Sequence, residues 1–391
     1  MAIAHNRTLQ AERTQIQQSQ ANQLTASLRR NPDFDVDSLF LPVFSPGEFT
    51  SHNLNNNIEF DAGVSYPFEL GGKRKARMKA AAAATRVTSE QISNDERRLR
   101  YRVAEQFINV LYAKSKLAFA KQDLKSFDKS LSISEKQYTA GSISHGNLLK
   151  IQLQQLLFQT DLQSARVAAV QAKNQLRELV GFSAIPQDYR VIGRLQAKDS
   201  HRSLLGLEAE ALRLRPDLQA AREGVTEAQG QLRLSRANGY PNLKTTLDYT
   251  HLYGLNNLSA YATIGIPIFN RNQGNIARST ARIIQARDRK HAVEEMALTQ
   301  VRSAYAQEQS ALQVVKLYQS GYLNEAQQSL QISGYAYLRG DTSLINFLDA
   351  ERSYRKVELN YRRALARAML TQQRLHEVVG VKPQSGGSKQ P

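Results

Sequence analysis

The sequence predicts a mostly α-helical chain with a small β part, built as two structural repeats of one plan. Three observations predict this. After Gly72 the chain runs to about Tyr138 without proline or glycine, and a matching run from Gly274 to about Leu338 holds only Gly321 and Gly334. Ahead of each run, short stretches alternate apolar and polar residues with the period of a strand. Similar stretches also recur in the same order in the two halves.

The repeats come first because they set the boundaries. Pro67-Phe68 through Ala76-Arg77 matches Pro267-Ile268-Phe269 through Ala277-Arg278. "YTAGSISHGNLL" (Tyr138 to Leu149) matches "YLRGDTSLINFL" (Tyr337 to Leu348), and "ELVGF" (Glu178 to Phe182) matches "EVVGV" (Glu377 to Val381). A weaker pair, "NRTLQA" and "RPDLQA", opens each half. The expected division is a first repeat over 1–182, a linker over 183–203, a second repeat over 204–381 and a tail over 382–391. Each repeat reads helix, two strands, long helix, glycine-centred break, second helix. The tail, "PQSGGSKQP" after Lys382, is low-complexity and reads as disordered.

Composition bounds the partners. The 391 residues are 41% hydrophobic and contain no Cys and no Trp. That composition suits long amphipathic helices, and it excludes disulfides and thiolate chemistry. The net charge of +17 admits nucleic acid, anionic lipid or an acidic partner. However, Lys and Arg are spread along every helical segment, and their densest cluster, Lys73 to Lys79, sits where a strand becomes a helix. A solvated helix face accounts for the charge, and no nucleic acid partner is expected.

The strands come next. Ile58, Phe60, Ala62, Val64, Tyr66 and Phe68 alternate with Glu59, Asp61, Gly63, Ser65, Pro67 and Glu69. In the second half Leu243, Thr245, Leu247 and Tyr249 make one apolar row, and Ala262, Ile264, Ile266 and Ile268 make another. The first strand, within "DFDVDSLFLPVFS", is less regular. Such strands run about 10 residues, the length of a tilted transmembrane strand. The segments "PGEFTSHNLNN" and "HLYGLNNLS" read as long polar outer loops. Four strands cannot close a barrel, and open edges are not tolerated in lipid, so several chains must supply them together.

The long helices carry apolar residues at spacings of three, four and seven, including Leu99, Val103, Phe107, Val110, Leu117, Leu124, Phe127 and Leu131, and then Val301, Tyr305, Leu312, Val315 and Tyr322. That is coiled-coil spacing, and each helix is expected to pack antiparallel on the helix that follows it. Gly141 and Gly340 would then mark hairpin tips. Pro67 and Pro267 fit strand ends, and Gly71, Gly72 and Gly274 would relax the backbone where sheet passes into helix.

With these motifs in place, the chain resembles the outer membrane factor family, the TolC-like exit ducts of Gram-negative efflux and type I secretion. The resemblance runs from about Ile3 to Val381 and rests on "LRLRPDLQAAR", "ANGYPNL", "IPIFNRNQGNIA" and "YLRGDTSLINFLDAERSY". "ELGGKRKAR" with "FNRNQGNIA" is most similar to the cation-efflux, CzcC-like subgroup.

The resemblance implies a homotrimer: an α-barrel of long coiled-coil helices continuous with a twelve-stranded transmembrane β-barrel, four strands from each chain. It implies a passive duct for divalent metal cations in outer membrane lipid, reaching into the periplasm. A periplasmic adaptor (membrane fusion) protein and an inner membrane RND-type pump would be its partners. The adaptor-binding tips would be Ala140, Gly141 and Ser142, and Arg339, Gly340 and Asp341. The periplasmic gate would use Tyr337, Asn346 and Asp349, with Thr342 where the best-known member carries an arginine. Asp349 would then offer the gate's formal charge, a ring of three carboxylates favouring cations.

The N-terminus, "MAIAHNRTLQAERTQIQ", has no apolar h-region, and the acylated Cys of many members is missing. The expectation is a chain numbered without its leader, or from a late start. No cofactor and no metal site are expected: the seven His (His5, His52, His145, His201, His251, His291, His376) are scattered. No nucleophile triad or phosphate loop appears, so the chain is not read as an enzyme. Competing readings are a cytosolic coiled-coil scaffold, a helical nucleic-acid binder, and an outer membrane duct for drugs or secreted polypeptides. Strands with an unbroken apolar face set the duct apart from the first two.

Overall fold

The computed structural model describes residues 1–197 and 202–381. The tail reading for 382–391, the end of the linker over 198–201 and His201 lie outside the described residues. The described chain divides into two compact units, each drawing on both halves of the sequence. One comprises Met1–Glu12, Ile92–Pro216 and Glu294–Pro391; the other comprises Arg13–Gln91 and Asp217–Val293.

The second of these units holds the sheet. Its strands are β1 (Asp33–Leu39), β2 (Glu59–Glu69), β3 (Asn242–Leu252) and β4 (Leu255–Ile264), all antiparallel in the order β1-β2-β3-β4. The register aligns the apolar rows. Phe34 pairs with Val64, Val64 with Leu247, and Leu247 with Ala260; Val36 pairs with Ala62, Ala62 with Tyr249, and Tyr249 with Leu258. This face is not covered by the chain. Phe34, Val36, Phe60, Val64, Phe68, Leu247, Leu258 and Ile264 are all exposed. The opposite face is polar: Asp35 opposes Gly63, which opposes Asp248, and Asp37 opposes Asp61, which opposes Thr250. Gly63 packs closely there: a Cβ would meet Asp248 Oδ1 at 2.6 Å and force that side chain to shift. Among the described residues, β1 and β4 each leave one edge without a partner strand.

Two expectations for the strands are corrected. "HLYGLNNLS" is not a long loop. Tyr253 (φ 55) and Gly254 (φ 70) form a two-residue turn, and the residues on either side continue as strand. Positive φ at both turn positions matches the twist of a tight hairpin. Asn256 Oδ1 accepts from Tyr249 Oη at 2.7 Å and lies 2.8 Å from His251 Nδ1, so the asparagines join the ladder rather than break it. The fourth strand also stops at Ile264, leaving Ile266, Pro267 and Ile268 beyond it. The other connection is longer, and Ser51–Asn56 forms a short helix, α3, within it.

Helices of this unit belong to α2 (Arg7–Ser27), α4 (Lys73–Thr139), α7 (Pro216–Ala237) and α8 (Gln273–Leu317). The basic run at the start of α4 has structural partners. Arg77 donates to the carbonyls of Ala26 (3.0 Å) and Leu28 (3.1 Å) and to Glu69 Oε1 (2.7 Å), and Arg74 donates to Ser27 O (2.6 Å). The last carbonyls of α2 have no partner within their own helix, so guanidinium groups cap them. Gly71 and Gly72 both take φ +69, and a Cβ on Gly71 would strike the Tyr240 side chain at 2.7 Å. At the second junction the left-handed residue is Asn272 (φ 63), and Gly274 lies inside α8 with open space around it. Pro67 sits past Ser65, the last β2 residue paired with β1, so its missing N–H costs no bond on that side.

The other unit is made of paired helices. The rest of α4 runs beside α5 (His145–Val180), and the rest of α8, followed by α9 (Leu323–Arg339), runs beside α10 (Leu344–Val379). Short helices α1 (Ala2–His5) and α6 (Leu204–Leu214) complete it. The seams are rich in alanine. Val110 and Ala113 meet Ala172, Leu176 and Val180; Ala311, Leu312 and Val315 meet Ala364, Leu365 and Ala368. Small side chains let the helices approach closely, so the core is a thin seam rather than a thick interior. The second long run is not one helix. A π turn over Tyr318–Tyr322, with Gly321 at φ 141, interrupts it between α8 and α9. Described parts of the linker pack on these helices: Tyr189 Oη donates to Lys173 O at 2.7 Å, and Gly193 lies against Leu111.

Candidate gate and docking tips

Both hairpin ends are built alike. At the first, Gly141 (φ +75) follows α4, Ser142 N donates to Gln137 O at 2.8 Å, and the Ser144 hydroxyl accepts from Asn147 N at the start of α5. At the second, Gly340 (φ +83) follows α9, Asp341 N donates to Ala336 O at 2.9 Å, and the Ser343 hydroxyl accepts from Asn346 N. A left-handed glycine that ends one helix and a serine that caps the next is a rigid, sequence-encoded turn. Ala140, Gly141 and Ser142 are exposed at the first tip, where the rings of Tyr138 and His145 stand 5.6 Å apart. At the second, Gly340 and Asp341 are exposed, and Arg339 ends α9 with its guanidinium 4.4 Å above the Tyr335 ring.

The three expected gate residues occupy different environments. Tyr337 is 5% exposed and lies in a core with Phe127, Leu131, Leu148, Ile151, Phe158, Leu344 and Phe347. Its ring stacks on Phe347 at 5.3 Å, and its hydroxyl reaches the buried Ser134 Oγ at 3.4 Å. Asn346 is exposed and donates to Thr342 Oγ1 at 3.0 Å. The resemblance expects Asp349 to bring formal charge to a gate. In this structure Arg352, one turn along α10, sits 3.2 Å from the Asp349 carboxylate, and both are more than half exposed. So exposed a pair contributes little to stability, but it offsets the charge of Asp349.

Just behind these residues lies a cluster that sequence reading missed. Arg355 of α10 donates to Asp123 Oδ2 of α4 at 2.6 Å and to Asp161 Oδ2 of α5 at 2.6 Å. Its Nε lies 3.6 Å from Glu351 Oε1, and its guanidinium sits 4.1 Å above the Phe158 ring. Asp123, Glu351 and Arg355 are largely buried; Asp161 is open to solvent. Neither Glu351 oxygen has a hydrogen-bond partner. Burial, and then the Asp123 carboxylate, push Glu351 up to about 8 against the pull of Arg355. Burial also pushes Asp123 up to about 6, although the guanidinium beside it pulls the other way. One signal was in the sequence. Leu344, Phe347, Glu351, Tyr354, Glu358, Tyr361 and Leu365 step by three and four, which puts two carboxylates on an apolar stripe. Among the described residues, no group of three or more His, Cys, Asp or Glu is arranged to hold a metal ion.

Buried hairpin cores, capped tips and a one-sided greasy sheet with two open edges are the parts of a channel wall. The sequence profile described as "Outer membrane efflux protein" matches residues 1–182 and 207–381. The chain belongs to the outer membrane efflux protein family. Among its relatives is the "Cobalt-zinc-cadmium resistance protein CzcC" of Cupriavidus metallidurans, 26% identical over 310 residues, 77% of this chain and 72% of CzcC. The "Cation efflux system protein CusC" of Escherichia coli K12 is 26% identical over 388 residues, 93% of this chain and 82% of CusC. A crystal structure of CusC superposes with a TM-score of 0.79 at 23% identity, covering 97% of this chain and 90% of that one, and so shares the fold. This outer membrane efflux protein is therefore a channel of the Gram-negative outer membrane and a transporter by family.

Proposed function

We propose that this efflux protein is one protomer of a trimeric duct that passes divalent metal cations outward. Three copies at four strands each would close a twelve-stranded barrel and satisfy the free edges of β1 and β4 in lipid. The observation that carries this reading is the exposed, mainly apolar face of the sheet, backed by a face rich in Asp, Glu, Ser and Thr. Such a sheet fits a wall with lipid on one side and water on the other. The duct is passive; an RND-type pump supplies the energy, and a membrane fusion adaptor joins the two. The two capped loops, Ala140–Ser142 and Arg339–Asp341, are the adaptor-binding tips, and their matched backbone geometry supports a shared role. Tyr337 anchors the gate hairpin from inside, while Asn346 and Asp349 face solvent near its tip. The doubled element order supports two repeats, 1–182 and 204–381, joined by the linker 183–203.

The metal cargo rests on the names of CzcC and CusC and on no metal-binding group in the described chain. A deletion strain grown on cobalt, zinc and cadmium, and separately on hydrophobic drugs, tests it. Sensitivity to the metals alone is expected; sensitivity to drugs alone would reassign the cargo while leaving the duct in place.

A further inference from the structure

We propose that the helix end of the sheet binds an anionic phospholipid, with Arg29 and Arg30 holding its phosphate and Leu24 and Leu28 lying along its acyl chains. This rests on the reading above that the sheet spans the outer membrane. All four strands meet helices at one end of the sheet: α2 ends at Ser27 ahead of β1, β2 leads into α4, α7 ends at Ala237 ahead of β3, and β4 leads to α8. In a duct whose helices stand in the periplasm, that end lies at the periplasmic leaflet. Arg29 and Arg30 sit within four residues of β1, where a strand that spans the hydrocarbon passes into the head-group layer.

The charge at this end is one-sided. The segments 18–32, 70–85, 228–243 and 264–287 contain no Asp or Glu, and each carries Arg. The carboxylate that borders the second segment, Glu69, is already engaged by Arg77 at 2.7 Å. An open cleft of about 480 Å³ lies here, lined by Asn22, Thr25, Leu28, Arg29, Arg30 and Arg77, within the size range of small-molecule sites. The carbonyls that end α2 would repel an anion, but Arg74 and Arg77 cover those of Ala26, Ser27 and Leu28. Arg29 and Arg30 are left exposed, with no hydrogen bond or ion pair among the described residues. A planar guanidinium matches phosphate oxygens two at a time.

Apolar surface beside these cations selects a lipid over a soluble anion. Leu24 is 64% exposed and Leu28 56%, and Phe34, six residues on, begins the exposed apolar row of the sheet. The surface that takes the acyl chains therefore leads onto the face that meets lipid. The second half repeats the pairing: Ile266, Ile268 and Phe269 are exposed, and Arg271 and Arg278 follow them. Each cation at an anionic membrane surface gains about fivefold in affinity, so Arg29 and Arg30 together give on the order of twentyfold at low salt. A zwitterionic lipid carries its own cation beside the phosphate and gains little.

The chain has no Trp, so one introduced Trp reports alone. The test places Leu28→Trp in the cleft of the full-length protein, reconstituted in bilayers of mixed phosphatidylcholine and phosphatidylglycerol. Either lipid is brominated on its acyl chains so that it quenches the Trp it touches. Leu258→Trp, on the apolar face toward the far end of the sheet, is the control. At low salt Leu28→Trp should prefer phosphatidylglycerol by on the order of tenfold or more, and Leu258→Trp by less than about twofold. The preference should fall toward unity in about 1 M salt, where the Debye length is about 3 Å. Arg29→Gln with Arg30→Gln, which breaks no bond, should abolish it and leave the Leu258→Trp signal unchanged. Equal quenching of Leu28→Trp by both lipids, or a preference that survives the double variant, overturns the proposal. A preference removed by millimolar inorganic phosphate makes free phosphate the occupant and overturns the lipid. If Leu28→Trp fails to assemble, Leu24→Trp, one turn earlier, takes its place. Quenching of neither reporter by either lipid overturns the duct reading together with this proposal, whereas a quenched Leu258→Trp keeps the sheet in lipid whatever Leu28→Trp shows.

Discussion

At the scale of single residues, Tyr337 shows how a site residue acts through packing. Its ring fills the core between the hairpins, stacked on Phe347, while its hydroxyl makes only a long 3.4 Å contact with Ser134. Ser134 Oγ keeps its bond to Ser130 O without it. Tyr337→Ala should therefore cost about 3 kcal/mol or more, the usual loss for emptying an aromatic site. Tyr337→Phe should cost less than about 1 kcal/mol. Thermal melting of the detergent-solubilised protein checks both, and a mild Tyr337→Ala would mean that the ring is not part of the core. Asp349→Asn should change stability by less than about 0.5 kcal/mol, because the carboxylate and Arg352 are both exposed. The cluster behind these residues shows why sequence reading stops where it does. Period-three-and-four spacing places Glu351 on an apolar stripe, but it cannot say that Asp123, 232 residues before Arg355, lies within bonding distance of that guanidinium.

At the scale of elements, most of the architecture was legible because it is periodic. The alternation of Phe60, Ala62, Val64, Tyr66 and Phe68 foretold β2, and the unbroken run after Gly72 foretold α4. The misses came where a residue's usual habit was overridden by its neighbours. Asn256 and Asn257 read as loop residues, yet β4 begins at Leu255, because Tyr253 and Gly254 close the turn alone. Gly321 reads as a tolerated helix glycine, yet it takes φ 141 within a π turn. Gly274 reads as a junction hinge, whereas Asn272 supplies the positive φ. Glycine substitutions separate these cases by sign. Gly141→Ala and Gly340→Ala place a Cβ on left-handed backbone and should each destabilise by about 1 kcal/mol, although nothing crowds either site. Gly274→Ala sits in helical backbone with open space and should stabilise by roughly 0.5–1 kcal/mol. Melting temperatures moving in opposite directions check the assignment; Gly274→Ala destabilising as much as Gly340→Ala would return the hinge to Gly274.

At the scale of the whole molecule, the deciding question is which face of the sheet meets lipid. The register gives adjacent positions of one strand to opposite faces. Leu247 pairs with Val64 and Ala260 in the apolar row, while Thr246 pairs with Ser65 and Tyr261 on the other side. A monomer in water would have little reason to treat the two positions differently, since Leu247 is already 52% exposed. A barrel in lipid would treat them very differently. An arginine on the lipid face near mid-membrane costs about 2–4 kcal/mol, and one facing the water-filled lumen costs little. The same face also carries Asp248, two residues from Thr246 along β3, so a cation there gains rather than loses. Leu247→Arg should thus reduce the yield of detergent-extracted, heat-modifiable trimer from the outer membrane, while Thr246→Arg should leave it near wild type. Both variants add the same charge at neighbouring positions, so general effects on expression cancel. Equal yields would mean that the apolar face does not meet lipid, and the free edges of β1 and β4 would then need an occupant other than neighbouring copies in a membrane.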